Sequence, residues 1–286
     1  MGFHSSESKS FHREETVISA QPKQRFRTIW LSDVHLGFRG CRADFLHDFL
    51  KKTHAETIYL VGDIVDLWEM KRRLYWPQPH NNVIRTLLGK AKRGTKIVYI
   101  PGNHDELLRD HAGLVFGNVE LREQAIHTTA DGRRFLILHG DEFDSVVKCS
   151  PWLAKLGNRA YDWLLYLNRW FNVARRKMGF SYWSLSAYIK GRVKNAVQYV
   201  SSFEGAVARA ATQQGVDGVI CGHIHRAEIR KIEGILYCNL GDWVESCTAL
   251  VERPDGYLEL IHWSDETMAL KGEEGPAVAV EVEVAA

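Results

Sequence analysis

Apolar positions along the chain follow two rhythms. Unbroken runs, RTIWLS from Arg27, TIYLVG from Thr57 and TKIVYIPG from Thr95, predict strands. Between them, ADFLHDFLKKTHA sets Phe45, Leu46, Phe49 and Leu50 at helical spacing, and HNNVIRTLLGKAKRG continues that spacing until Gly94 closes it. Strands alternating with helices argue for a layered α/β domain. After Val119 the rhythm changes. VELREQAIHTTADGRRFLILHGD predicts two strands joined through Asp131-Gly132, a favoured hairpin turn. VDGVICG, AEIRKIEGILYCNLG and CTALVERPDGYLELIHW predict further strands with tight turns. The simplest sum is an α/β fold of the α+β layered kind, two mixed sheets packed face to face with helices outside.

Residues 145–203 break this pattern. Trp152, Leu156, Ala160, Trp163, Leu167, Trp170 and Ala174 recur every three or four positions and form one apolar helical face. Leu153, Leu164, Leu165 and Phe171 widen it beyond the need of a surface helix. From Pro151 to Val200 there are nine Lys or Arg, Arg175 and Arg176 among them, against the single acid Asp162. The stretch reads as a helical insertion within a domain spanning 25–263. Residues 1–24 and 264–286 read as flexible ends, the second ending in the low-complexity EEGPAVAVEVEVAA.

Composition changes this picture little. The 286 residues are 45% hydrophobic and 25% charged, ordinary for a globular protein with a sizeable core. A formal net charge of only +2 argues against a stable nucleic-acid partner for the molecule as a whole. Five scattered cysteines, never spaced as CxxC, read as reduced thiols in the cytoplasm. No run approaches the roughly 20 apolar residues that span a bilayer, and the N-terminal residues lack the apolar core of a secretory signal.

The chemistry lies where the apolar runs stop. SDVHLG presents Asp33 and His35, GDIVD presents Asp63 and Asp66, and GNHD presents Asn103, His104 and Asp105. HGD adds His139, and GHIH adds His223 and His225. Each group sits beside a glycine that lets the backbone turn sharply. Ligands gather at the carboxyl ends of strands in open α/β sheets, so the five segments are expected to converge on one rim. Carboxylates, an amide and imidazoles without thiolates suit two divalent ions, Mn²⁺ first, with Fe²⁺ or Zn²⁺ as alternatives. Two ions about 3.5–4 Å apart, sharing one carboxylate, would clamp a phosphoryl group for in-line attack by water.

In order and spacing, SDVHLG, GDIVD, GNHD, HGD and GHIH resemble the five signature blocks of the calcineurin-like metallophosphoesterases. The resemblance runs from about Thr28 to His262 and implies a four-layer β-sandwich flanked by helices. By motif it places Asp33, His35, Asp63 and His225 on a first metal. Asp63, as a bridge, with Asn103, His139 and His223 would hold the second. His104 would assist the leaving group, oriented by Asp105, and Asp66 would stand behind the ligands.

The insertion after HGD and the block NLGDWVES are similar to those of a narrower group, the UDP-2,3-diacylglucosamine pyrophosphohydrolases and their relatives. That likeness implies a lid, with Trp163, Leu167, Trp170, Arg175 and Arg176 sheltering acyl chains. It also implies a lipid-linked nucleotide substrate, UMP as a product, and peripheral contact with the inner face of the membrane. One departure stands out, because that group usually reads GNRD where this chain has His104. Expelling a phosphate needs little acid help, whereas expelling an alkoxide benefits from a positioned acid. Other phosphomonoesters or phosphodiesters, including a nuclease substrate, therefore stay open. So does a non-catalytic scaffold on the same fold.

Overall fold

The computed structural model describes residues 23–145 and 194–263, with residues 175 and 178 described singly. A seven-stranded sheet has at its centre β1 (Gln24–Leu31), β2 (Thr53–Val61), β3 (Lys96–Ile100) and β5 (Val119–Leu121), all parallel. β4 (Val115–Phe116) closes one edge, and β11 (Thr248–Glu252) with β12 (Leu258–His262) closes the other, each pairing antiparallel. The second sheet runs in the order β6 (Ala125–Thr128), β7 (Arg134–Ile137), β8 (Gly218–Cys221), β10 (Ile235–Asn239) and β9 (Glu228–Ile232).

Side-chain alternation builds the layers. Trp30 faces the second sheet with Tyr59, Val98, Phe135, Ile137 and Ile220, all buried. Its neighbours Ile29 and Leu31 point the other way, onto α1 (Ala43–Lys52) and α3 (Gln78–Lys92), against Phe49, Leu50, Val83 and Leu87. Behind the second sheet, α4 (Lys194–Gln213) lays Phe203, Val207 and Ala211 on Leu136, Val219 and Tyr237. Helix, sheet, sheet and helix make the expected four layers, and burying each large apolar side chain contributes about 1.5–3 kcal/mol.

Three boundaries differ from the sequence reading. α1 stops at Lys52, because Thr53 turns extended and its hydroxyl caps the Phe49 carbonyl at 2.8 Å. β2 therefore begins where the helical pattern was expected to continue. The stretch from Val119 supplies three strands rather than two, since β5 joins the first sheet before the chain crosses to β6 in the second. α4 runs unbroken through residue 203, the expected end of the insertion, and buries Phe203 in the outer layer. Trp163, Leu167, Trp170 and Arg176 lie outside the described residues. Arg175 is described as a half-buried helical residue. Among the described residues no helix is long and apolar enough to cross a membrane.

Candidate metal centre

Parallel register brings the motif loops together. Ile29 pairs with Ile58 and Ile58 with Ile97, so β1, β2 and β3 end side by side. Beyond them the loops keep pairing: the Asp33 and His35 amides donate to Gly62 and Asp63 carbonyls at 3.1 and 2.9 Å. From the second sheet, His139 follows β7, while His223 and His225 follow β8. Five of these residues, Asp33, His35, Asp63, His223 and His225, hold left-handed backbones with φ between 52° and 68°. An L-residue pays about 1–2 kcal/mol for that conformation, and such strain concentrates at functional sites. Gly62 meets a different demand, since a Cβ there would collide with the His139 ring.

Three groupings bring donor atoms within 4.8 Å of one another: Asp33, His35 and His225; Asp33, Asp63 and His139; His35, Asp63 and His104. Asp63 Oδ2 lies centrally, 3.5 Å from His139 Nε2 and 3.9 Å from His35 Nε2. His225 Nε2 is 3.0 Å from Asp33 Oδ1. Four buried atoms, Asp33 Oδ1, His35 Nε2, Asn103 Oδ1 and His139 Nε2, make no well-formed hydrogen bond within the protein. Buried polar atoms are rarely left so, and these belong to the residue types that bind hard or borderline divalent ions. The donor set fits a metal.

The opposite edge of each imidazole is fixed. His139 Nδ1 faces the Val61 carbonyl at 3.1 Å, and His35 Nδ1 faces Asp66 Oδ2 at the same distance. Such outer partners set the tautomer and aim the other nitrogen inward. His223 differs. Its amide donates to Asp33 Oδ2 at 3.0 Å, but its Nε2 turns to Asp144 Oδ1 at 2.8 Å, so among the described residues no donor grouping includes it. Asp144 also accepts from the Tyr199 hydroxyl at 2.6 Å.

Crowded carboxylates shift the titrations. Burial alone would depress His35, yet its hydrogen bond to Asp66 and the charges of Asp63 and Asp33 raise it to about 9. His139, likewise opposed by burial, is raised to about 10 by Asp63 and Asp33. Against burial, His225 and His139 draw Asp33 down to about 2. Asp63 is held low against burial by His139 and His35. The cluster stabilises positive charge at its centre, and a divalent ion would take the place of the imidazole protons.

Asp66 stands behind a ligand, His35, as expected, and also takes the part expected of Asp105. Asp105 does not orient His104. Fully buried, it accepts from Gly102 and Ile64 amides at 2.6 and 2.9 Å and from the Tyr99 hydroxyl at 2.6 Å. It thereby clamps the GNHD loop onto the GDIVD loop, and burial beside Asp63 raises its pKa. The carboxylate facing His104 is Asp66, whose Oδ1 lies 2.9 Å from Nδ1. The same Oδ1 caps α2 (Leu67–Arg72) by accepting from the Glu69 amide at 2.8 Å.

Sequence reasoning missed Asp144, Tyr199, Asp242 and Trp68. Asp242, buried in the NLGDW block, approaches His225 Nδ1 to 3.8 Å while gathering the amides of Val244 and Ser246. Trp68 lies over the His104 ring with centroids 4.5 Å apart and remains 41% exposed.

Known proteins give a consistent comparison. The profile of the family "Calcineurin-like phosphoesterase" matches residues 26–227. UDP-2,3-diacylglucosamine hydrolase of Aliivibrio fischeri is 26% identical over 231 residues, covering 75% of this chain and 90% of that protein. The same-named protein of Cellvibrio japonicus is 28% identical, over 76% and 90%. Among solved structures, phosphopantetheinyl hydrolase from Mycobacterium tuberculosis aligns over 83% of this chain and 96% of its own, at 11% identity and a TM-score of 0.41.

Proposed function

Because this chain belongs to the calcineurin-like phosphoesterase family, a family of metal-dependent hydrolases, we propose that it cleaves the pyrophosphate of UDP-2,3-diacylglucosamine or a similar lipid-linked nucleotide diphosphate. The products are UMP and an acylated sugar 1-phosphate. One observation carries the phosphohydrolase reading: Asp33, His35, Asp63, His139 and His225 bring largely buried donor atoms within 4.8 Å of one another in overlapping groups, and three of those atoms make no well-formed hydrogen bond. Two relatives named UDP-2,3-diacylglucosamine hydrolase support the substrate.

Asp33, His35, Asp63 and His225 would hold one divalent ion, and Asp63, Asn103 and His139 the other, with His223 completing the second set after leaving Asp144. Mn²⁺ is the proposed metal, Fe²⁺ or Zn²⁺ serving the same donors. Bound there, the ions would lower the pKa of a water and neutralise phosphoryl charge. The chain's own residues do the rest. Asp66 holds His104 by Nδ1, which leaves Nε2, 4.0 Å from Asp63 Oδ2, as the edge that faces the centre. As water adds to phosphorus and the bond to the bridging oxygen breaks, His104 Nε2 meets the charge growing on that oxygen. Trp68 covers one face of the imidazole. On this reading the protein would work in the cytoplasm, at the inner face of the membrane that holds such a substrate.

The His104–Asp66 hydrogen bond favours a second reading. A supported imidazole also suits a phosphomonoester or phosphodiester whose leaving alkoxide needs a proton. Mn²⁺-loaded protein is incubated with UDP-2,3-diacylglucosamine in detergent micelles, beside Asp63→Ala, and UMP is followed by chromatography. Release that disappears in the variant supports the lipid reading. Absence of UMP from protein that still cleaves a simple phosphodiester transfers the conclusion to the second.

A further inference from the structure

The parallel strands have another end. Lys23 precedes β1, α1 finishes just before β2, and α3 finishes just before β3. At about 3.3 Å per residue, the eight residues of β1 set that end roughly 25 Å from the metal centre. A recess of ≈ 490 Å³ opens there between α1 and α3. Four cations line it: Lys23, Lys51 of α1, Arg85 of α3 and Arg93 at the C-cap of α3. Among the described residues no carboxylate does. Among the described residues none of the four has an ion-pair partner, whereas nearby Lys52 is matched to Asp48 at 2.9 Å.

Helix chemistry explains part of this. Cations in a last turn offset the negative end of the helix dipole, which accounts for Lys51. It does not account for Arg85, two turns before the end of α3, or for Lys23 ahead of a strand. The neutral surroundings also suit a ligand. Asn82 and Thr86 bring an amide and a hydroxyl to the α3 wall, and buried Leu50 gives an apolar floor. Gly89 leaves room for Arg93 to lie back along its helix, since a Cβ there would come within 3.3 Å of the guanidinium. The local field is positive enough to be felt by neighbours. Burial, then Lys90, Arg25, Lys23 and Arg93, hold His54 below its ordinary value. Buried Lys90 is pushed down to about 8 by burial, Lys23 and Arg93.

We propose that this recess is a second, non-catalytic binding site for a phosphate-bearing anion. Arg85 and Arg93 grip the phosphate through paired N–H donors, and Lys23 and Lys51 add point charges at the rim. A soluble phosphate ester and an anionic lipid headgroup present the same chemistry, and experiment separates them. Metal-loaded full-length protein is dialysed to equilibrium against radiolabelled inorganic phosphate at low ionic strength. In parallel it is floated with phosphatidylcholine vesicles with and without phosphatidylglycerol. Phosphate at the catalytic centre is read separately, as inhibition of turnover.

The expected result is a phosphate equivalent beyond the inhibitory one, weakened at least about tenfold in Arg85→Ser/Arg93→Ser while turnover and its inhibition stay unchanged. Gly89→Ala should weaken it less. Vesicle binding that requires phosphatidylglycerol and both arginines, without retained free phosphate, assigns the recess to lipid headgroups. Absence of both forms of binding, or binding indifferent to the double substitution, overturns the proposal.

Discussion

The two ends of the central parallel sheet are built by opposite means. At the carboxyl ends, carboxylates and imidazoles sit largely buried, five of them on left-handed backbone, and several donor atoms lack well-formed hydrogen bonds. At the amino ends, Lys51 and Arg85 sit exposed on regular helices and Arg93 at a helix C-cap, and with Lys23 they lack ion-pair partners among the described residues, without any backbone strain. One end concentrates negative charge around a point and the other spreads positive charge around a recess. Precise geometry is needed only at the first. A metal site fails when a ligand moves by a fraction of an ångström, whereas long, mobile cations can gather around an anion of any shape. Strain therefore accumulates where directions must be held and is absent where charge alone suffices.

The largest effect should come from Asp63→Ala, which removes the carboxylate central to the donor groupings. Turnover of a chromogenic phosphodiester should fall by about 10³-fold or more. Metal analysis should show both ions lost, and retention of one with normal turnover would break the idea of a shared carboxylate. Asp66→Ala should cost about 10–100-fold in turnover through the freed His35 and His104 rings. Loss of the α2 cap adds about 1 kcal/mol of instability, read by urea unfolding.

Asp105→Ala tests the contrast within the site itself. It strips the Tyr99 hydroxyl and the Gly102 and Ile64 amides of their acceptor, at about 1–3 kcal/mol for each donor left buried. Its signature should be lost stability, with Tm falling before metal affinity does. A variant of normal Tm but inverted pH–rate profile would instead make Asp105 part of the chemistry.

The smallest effect on turnover lies midway along the sheet. Buried Glu252 is opposed by desolvation, yet its hydrogen bonds with His127, Thr28 and Arg27 draw it down to about 2 from 4.5. A carboxylate lowered on folding contributes stability above its unfolded value, lost as pH falls from about 4.5 towards 2. Glu252→Gln should flatten that stretch of the urea stability profile while leaving the metal centre intact.

Much of the centre was legible because each motif marks the end of a strand and carries its own glycine. Convergence then followed from parallel register, which the apolar runs already implied. That Asp66 and not Asp105 faces His104 was not legible. Asp105 follows His104 in sequence, but the short 3₁₀ turn at Glu106–His111 sends its carboxylate back into the loops. Asp66 lies far from His104 in sequence and reaches it only because α2 starts there. The turn of His223 towards Asp144 was equally hidden, since it depends on Tyr199 of α4 bringing its hydroxyl to the same carboxylate. Helix ends were misread where no glycine or proline marked them, as at Lys52.

Asp66 joins three things with two oxygen atoms: an imidazole of the candidate metal centre, the imidazole proposed to serve the leaving group, and the first turn of α2. A change of substrate that called for a shifted His104 would drag His35 with it. Evolution of this chain towards new leaving groups is thus channelled. Accessible changes are those that reshape Trp68 and the neighbouring walls, because any that re-aim the acid must also re-tune the metal.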